Sequence, residues 1–599
     1  MQSLYEIETE TPRLSIVQGA SSPPLLDLTL GDLLDQQTRL RAGYECLVCP
    51  SFGTRWSYGT LQEESVAVAR GLLSLGIKSG DRIGILAGNC AEYISVFFAA
   101  AYIGCILVVL NNTYTTQEAK NGLKHAGCRI LFTVPKIGKQ STERLISELG
   151  PLPKENGNSE ALERVVILRG SRDGFVNYDG LKRQGRASSM EEFERVKNTV
   201  KPDDIVNLQF TSGSTGSPKA AMLTHFNLVN NANSIGDRLA FTSQDILCCP
   251  PPLFHCFGLV LGVLAIITHG AKIILPAETF DASAVLRAVS DEKCTALHGV
   301  PTMFEEILSL PRPEGFNCDS LRTGIIAGAP VPRPLMKRLL TELNMREYTS
   351  SYGLTETSPT CFNAYTYDTI DTRLTTVGQI LPHLRAKIVD RDGNIVPQGA
   401  RGELCISGYS LQKGYWNNEE KTAEVMVRDK DGILWLKTGD EASFDERGYC
   451  SITGRFKDII IRGKLSFNEG CEQKINYSPG GENIYPLEIE TRLDAHPSIS
   501  RAIVVGIPDR KYGEVVGAFL DVREDSAAVK KKLSDAEIRD WTRKELGWHK
   551  APHHVFWFGE EGLKMETPKT GSGKVKKFEL RNEGARIVKE RSMIPKPKL

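Results

Sequence analysis

An α/β protein with a large N-terminal domain of helix-covered sheets, a small β subdomain and a smaller α+β C-terminal domain is the fold class the sequence predicts, on three observations. Short β-branched runs alternate with helix-length amphipathic segments, as in parallel sheets covered by helices. The chain has 599 residues, 41% apolar and 24% charged, which suits several hydrophobic cores. The pattern then changes twice, near residue 376 and again near residue 481.

The strand-like runs are Arg82–Leu86, Ile106–Leu110, Arg129–Thr133, Val165–Leu168, Ile205–Phe210, Lys272–Leu275 and Thr323–Ala327. Tyr93 to Leu110 is uncharged over eighteen residues, long enough to raise a membrane span. Gly104 divides it, so a buried helix from about Ala91 to Ile103 and a buried strand Cys105–Leu110 are expected, with no transmembrane segment. Residues 170–203 are charged and contain Gly and Ser, which reads as a surface excursion. Across 376–454 the turn signals Asp392-Gly393-Asn394 and Arg447-Gly448 predict a small antiparallel subdomain. From Gly481 a separate unit begins. Pro486 can start a helix whose Ile489 and Leu493 share a face, and Ile503–Val505 reads as a strand. Ser534-Asp-Ala-Glu537 is a capping box opening a helix that ends near Gly547.

Lys plus Arg number 73 and Asp plus Glu number 73, so no basic field points to nucleic acid. The fourteen cysteines are scattered, and the acidic start Met1-Gln-Ser-Leu-Tyr-Glu has neither an apolar signal core nor an Arg-rich face. Reduced thiols and no export are expected. Cys46-Leu-Val-Cys49 has metal-like spacing, but no second pair completes a four-ligand set and its setting is apolar, which favours buried thiols. The terminal Pro597-Lys598-Leu599 is close to the Ser-Lys-Leu address read by the peroxisomal import receptor, so a peroxisomal location is the expectation, against a chance tail.

The chemistry concentrates in a few clusters. Phe210-Thr-Ser-Gly-Ser-Thr-Gly-Ser-Pro-Lys219 follows an apolar strand. Gly213 and Gly216 let the backbone turn its N–H groups toward an anion. Thr211, Ser212, Ser214 and Thr215 add hydroxyls, and Lys219 adds charge. The spacing is not Walker A, because Pro218 separates Ser217 from Lys219. By composition alone the run is either a phosphate cradle or a flexible loop. Downstream, Tyr352-Gly-Leu-Thr-Glu356 combines a flat ring, hydroxyls and a carboxylate able to hold Mg²⁺ through oxygen. Thr438-Gly-Asp440 places a carboxylate on a turn, able to accept both hydroxyls of a ribose. Gly454-Arg455-Phe-Lys457-Asp458 precedes the apolar Ile459–Ile461, and Pro568-Lys-Thr-Gly-Ser-Gly-Lys574 puts an ammonium on a glycine-lined loop. Singly, each is equally a turn, an ion pair or a solvated lysine.

In this order the clusters resemble the adenylate-forming (AMP-binding) superfamily of acyl-CoA synthetases, luciferases and peptide-synthetase adenylation domains, over nearly the whole chain. The resemblance implies an N-terminal domain over 1–455, a hinge at 456–463 and a C-terminal lid over 481–599, together clasping ATP and a carboxylic acid. By the same resemblance the Thr211–Lys219 loop wraps the β and γ phosphates, Tyr352 packs on adenine, and Thr355 contacts the α-phosphate. Glu356 binds Mg²⁺, Asp440 the ribose and Arg455 the nucleotide, while Gly328-Ala329-Pro330 lines the adenine and acyl sites. Lys574 is the catalytic lysine of adenylation, and Lys457 the pivot about which the lid turns to admit a thiol.

Peptide-synthetase domains that take amino acids typically place an aspartate near Phe254-His255-Cys256-Phe257-Gly258; none stands here. His255 and the apolar Leu259–Ile267 instead resemble CoA ligases, whose histidine closes an apolar pocket, although a lone histidine is also a common core residue. Too little chain follows Lys574 for a carrier domain, so free CoA is the expected acceptor, with the thiol of a separate carrier protein or another acceptor as the alternative. Pro252–Gly258, Gly299-Val-Pro-Thr-Met303 and Gly481-Glu-Asn-Ile-Tyr-Pro486 look most like medium-chain acyl-CoA synthetases and fungal ligases of toxin and siderophore pathways. A medium-chain or otherwise hydrophobic aliphatic acid is implied.

One departure stands out. Relatives usually run Arg-Gly-Gly-Glu-Asn-Ile-Tyr-Pro without interruption, whereas here Lys464–Gly480 separates Arg462-Gly463 from Gly481. The insertion falls in the loop that lines the family's thiol tunnel. It is either a tolerated loop, since added length costs little entropy, or a translated intron: Gly463-Lys464 can be encoded GGT-AAG, with a donor-like GTAAG, and Pro479-Gly480 can end CCA-GG, with an acceptor AG.

Overall fold

The computed structural model describes residues 13–151, 162–211, 219–328, 331, 333–462, 482–509, 512–523, 532–570 and 575–593. Its first core is a seven-stranded sheet ordered Val176–Asn177, Arg164–Ile167, Cys128–Thr133, Arg82–Leu86, Ile106–Val109, Ile205–Thr211 and Lys219–Thr224. All neighbours are parallel except the last pair, an edge hairpin in which Thr211 faces Lys219. Largely apolar runs, with their few charges at or near the strand starts, make the parallel strands because both faces of a parallel sheet are covered. The membrane-length stretch resolves into the helix Ala91–Tyr102 and the strand Ile106–Val109, with Gly104 at φ 67° between them. Every helix residue except Glu92 is buried, so its apolar circumference is that of a core helix. Among the described residues no helix is long and apolar enough to cross a membrane.

A second sheet carries Ala296–Leu297, Ile246–Cys248, Lys272–Ile274, Glu45–Cys49 and Thr54–Ser57. Cys46 and Cys49 are buried in it, and burial pushes the Cys49 thiol up to about 12. Among the described residues no cluster of three or more His, Cys, Asp or Glu could hold a metal. A third, short sheet runs Ile325–Ile326, Thr349–Gly353, Thr360–Asn363 and Gln379–Ile380. The expected β subdomain is an antiparallel sheet of Ile16–Gln18, Leu384–Val389, Gly402–Gly408, Leu434–Phe444 and Met426–Arg428, with Cys450–Arg455 pairing to Leu434–Phe444.

The stretch 170–203 differs from the expected surface excursion. It forms the helices Tyr178–Ala187 and Met190–Lys197, which pack on the helix Tyr58–Ser74. Tyr178, Leu181 and Gly185 fall on one buried stripe, and a Cβ on Gly185 would stand 1.9 Å from the Ala67 carbonyl oxygen. Three apolar or small positions among ten residues dock this helix, too narrow a stripe to outweigh the charges in sequence.

The C-terminal sheet is ordered Glu482–Ile484, Ile460–Arg462, Gly513–Val522 and Ile499–Asp509, with His554–Trp557 parallel to Gly513–Val522. Its first two strands are antiparallel, Ile460 facing Ile484 and Arg462 facing Glu482. Pro486 opens a helix to Asp494 in which Ile489 and Leu493 are buried. The Ser534 capping box is present, and its helix ends at Arg543, before Gly547.

Candidate active site

The described site residues gather where the N-terminal sheets meet the β subdomain. Tyr352 lies on Thr349–Gly353, and its hydroxyl donates to Asp440 Oδ2 at 2.6 Å. Asp440 is buried on Leu434–Phe444 and faces Arg455 across the ladder, with Arg455 Nε 3.0 Å from Asp440 Oδ1. Gly439 takes φ 70° just before it, and the Asp440 N–H donates to Thr438 Oγ1 at 3.1 Å, so the Thr-Gly-Asp turn fixes where the carboxylate points. Burial works against the Arg455 charge, but Asp440, Asp458, Tyr352 and Glu356 together hold the guanidinium above its ordinary value. Burial and then the Asp440 carboxylate raise the Tyr352 phenol well above the usual range, so it stays a donor.

A second chain of contacts runs alongside. Thr355–Thr357 is a single 3-10 turn. Glu356 at its centre accepts the Tyr415 hydroxyl at 2.7 Å on Oε1, and the Glu356 carbonyl accepts the Gln412 N–H at 2.9 Å. Lys219 Nζ sits 4.9 Å from the centre of the same Tyr415 ring. Thr211 and Lys219 thus face each other at the ends of two paired strands, with Thr211 Oγ1 donating to the Lys219 carbonyl at 3.3 Å. Lys457 lies in the 3-10 turn Phe456–Asp458, where burial and the neighbouring Arg455 lower its pKa. Carboxylates, phenols and three cations converge here, a setting suited to an anionic ligand carrying hydroxyls.

The donor set around Glu356 fits a cation that arrives with a polyphosphate. One carboxylate is too little for an all-protein metal cage, whereas Mg²⁺ usually takes one or two carboxylates and completes its shell with phosphate oxygens and water.

An apolar segment, 250–264, is linked to the strand of Tyr352 through His298 and Ile325. His255 is half-buried, and its Nδ1 accepts the Phe257 N–H at 3.1 Å. That bond leaves the ring proton on Nε2 in the neutral tautomer. Phe257–Leu264 then winds as a π-helix, entirely buried. Its glycines allow close approach, since a Cβ on Gly262 would stand 2.5 Å from Cys249 Sγ. His298, fully buried, ties this wall to the short sheet. Its Nε2 lies 3.1 Å from the Leu261 carbonyl, and its Nδ1 accepts the Ile325 N–H at 3.1 Å. Ile325–Ile326 pairs in parallel with the strand carrying Tyr352 and leads to Gly328, exposed at φ 89°.

Sequence reasoning missed Tyr415, His298 and Glu441. Glu441 follows Asp440 and receives the Tyr485 hydroxyl at 2.7 Å and the Thr453 hydroxyl at 2.5 Å, while Arg401 stands over the Tyr485 ring at 5.3 Å. Tyr485 belongs to the C-terminal unit, so this contact joins the two units one residue from Asp440. Tyr415 stood in Gly414-Tyr-Trp416, where an aromatic pair after glycine was the available signal. Ser212, Gly213, Ser214, Thr215, Gly216, Ala329, Pro330 and Lys574 lie outside the described residues, as do the insertion 464–480 and the tail 594–599.

Comparison with known proteins gives a consistent set of likenesses. The AMP-binding enzyme family model matches residues 34–416, and that of the AMP-binding enzyme C-terminal domain matches 488–574. The acyl-CoA ligase sidI of Aspergillus fumigatus is 62% identical over 96% of this chain and 95% of its own length. The medium-chain acyl-CoA ligase ACSF2 of Danio rerio, a mitochondrial protein, is 35% identical over 95% and 90%. Among solved structures, the anthranilate CoA ligase AuaEII in complex with anthranoyl-AMP shares the fold at a TM-score of 0.78 and 23% identity, covering 95% of this chain and 99% of that one. The Bacillus subtilis o-succinylbenzoate CoA synthetase MenE with its acyl-adenylate intermediate matches at 0.71 and 26%, over 93% and 99%.

Proposed function

The chain belongs to the AMP-binding enzyme family, and on that premise we propose that it is an ATP-dependent acyl-CoA ligase acting on a medium-chain or hydrophobic aliphatic acid. The observation that carries the reading is the paired network Tyr352–Asp440–Arg455 and Glu356–Tyr415–Lys219 at the mouth of the Thr211–Lys219 hairpin, beside an apolar wall. Relatives named as acyl-CoA ligases, at 62% and 58% identity along almost the whole chain, support the thiol acceptor.

The reaction follows from these groups. ATP seats its ribose hydroxyls on Asp440 and its phosphates on the hairpin loop, with Lys219 at one end. Glu356 supplies the protein ligand to the Mg²⁺ that ATP brings. Arg455 and Lys457 face the same region with positive charge. The acid lies along the π-helical wall with its carboxylate toward the nucleotide. A carboxylate oxygen attacks the α-phosphorus, pyrophosphate leaves, and positive groups stabilise the charge that accumulates in between. The CoA thiolate then attacks the acyl carbonyl and AMP departs. Lys574 serves the first step, and rotation about Lys457 withdraws it before the second.

Two assays test this. Acid-dependent pyrophosphate release without CoA, followed by CoA-dependent AMP release, is the expected pattern. Lys574→Ala should depress adenylation at least about a hundredfold while leaving thioester formation from supplied acyl-AMP within about threefold. Equal loss in both steps would refute the assignment. The insertion at 464–480 favours one alternative, a chain that adenylates but transfers poorly to CoA; pyrophosphate release with little CoA-dependent AMP release identifies it.

A further inference from the structure

The apolar wall is approached through an unusual stretch of backbone. Pro250, Pro251 and Pro252 are consecutive. Proline carries no N–H, so the stretch donates to no ladder and its carbonyls must be met from outside. One side chain meets two of them. Asn89 lies between the strand Arg82–Leu86 and the helix Ala91–Tyr102 and is 2% exposed. Its Nδ2 donates to the Pro251 carbonyl at 3.1 Å and to the Pro250 carbonyl at 3.5 Å, while its Oδ1 accepts the Leu253 N–H at 2.9 Å.

The grip is anchored behind and opposed in front. The Asn89 N–H donates to the Glu278 carbonyl at 2.8 Å, and the Glu278 side chain is held by an ion pair with Arg169 and by the Gly138 N–H at 2.8 Å. Gly258 also presses on the segment, sharing the Pro251 carbonyl with Asn89: a Cβ there would stand 2.4 Å from the Pro252 oxygen and 2.6 Å from the Pro251 oxygen. The His255 N–H donates to the Pro252 carbonyl at 3.1 Å, so the histidine and the π-helix grow directly out of the clamped segment. A shift of 250–253 would displace His255 and Phe257 together.

We propose that Asn89 is a positioning residue for acid selection. It touches no substrate atom, and it sets the register in which 250–253 present His255 and the Phe257–Leu264 wall to the acid. The proposal rests on the acyl-CoA ligase reading above.

Asn89→Asp keeps the acceptor and removes both donors; Asn89→Ser removes the whole grip. Asn230→Asp is the control, because Asn230 holds Leu26 in a comparable two-way clasp, at 2.7 and 2.9 Å, and its side chain bonds to Leu26 and Phe226 rather than to 250–253. Pyrophosphate release would be measured over a series of straight-chain acids, with amide hydrogen exchange of the peptide spanning 249–264. The Asn89 variants should raise KM for the acid about tenfold, flatten the chain-length profile, leave KM for ATP within about twofold, and speed exchange in that peptide. Asn230→Asp should do none of these. Unchanged exchange in folded Asn89→Asp, or acid and ATP constants worsening together in step with lost Tm, would overturn the proposal. If neither Asn89 variant folds, Gly258→Ala must give the acid-specific effect with Asn89 intact, and its absence rejects the idea. A wild-type chain without acid-dependent pyrophosphate release refutes the ligase reading itself, while the exchange data still decide whether Asn89 holds the segment.

Discussion

Asp440 has one oxygen engaged by Tyr352 and the other by Arg455. An ionised carboxylate offers about four acceptor sites, so two remain for a pair of vicinal hydroxyls. Asp440→Asn should therefore raise KM for ATP by roughly tenfold to a hundredfold, about 1.4–2.7 kcal/mol of binding, with KM for the acid little changed in steady-state kinetics. Tyr415→Phe removes the hydroxyl donated to Glu356 and should shift the Mg²⁺ concentration for half-maximal pyrophosphate release. Buried titratable groups give opposing pH signatures. Burial depresses His298 to about 4, below its unfolded 6.5, so the stability it contributes is present above 6.5 and lost as pH falls toward 4. Burial raises Asp494 to about 7 from 3.8, so its contribution is complete below 3.8 and lost as pH rises through about 7. Thermal melts from pH 4 to 7.5 should show His298→Gln flattening the acid-side loss and Asp494→Asn flattening the loss on the other side. Tyr352, Glu356, Asp440 and Arg455 could be singled out in sequence because their glycine-marked motifs, in that order, resemble the adenylate-forming superfamily, and the structure brings these groups together. Tyr415 and Asn89 could not be, since no such motif frames them and their side-chain partners, 59 and up to 164 residues away, are joined to them only by the fold.

At the scale of elements, β-branched runs made every strand of the first sheet visible except the two-residue edge Val176–Asn177 and the return strand Lys219–Thr224, whose Lys-Ala-Ala-Met-Leu-Thr has a single β-branched residue at its end. The helix Ala91–Tyr102 was legible because Gly104 cuts an otherwise unbroken apolar run. The helices of 170–203 were not, because a few buried side chains and the glycine contact at Ala67 dock them. The joint at Tyr485 gives an element-level prediction. Tyr485→Phe removes the hydroxyl bond to Glu441 while keeping the ring under Arg401. The C-terminal unit should then be held less firmly beside Asp440, changing the ratio of pyrophosphate release to CoA-dependent AMP release by about fivefold, one hydrogen bond of roughly 1 kcal/mol. An unchanged ratio would mean that the contact has no part in domain positioning.

For the whole molecule, the two half-reactions proposed above call for a C-terminal unit that docks in more than one way, with Lys457 as the proposed pivot. The strands Ile460–Arg462 and Glu482–Ile484 are already paired on either side of 464–480. Deleting 464–480 should leave a folded protein with unchanged acid-dependent pyrophosphate release and equal or faster thioester formation. A deletion variant that loses adenylation would show the insertion to be integral. Facing residues Arg462 and Glu482 would then be linked by Gly463 and Gly481 alone, a reverse turn of the length and composition that tight hairpins favour. A shortened messenger would still encode every hydrogen-bonded partner in that ladder, so sequencing transcripts across the junction asks whether cells ever translate the longer frame.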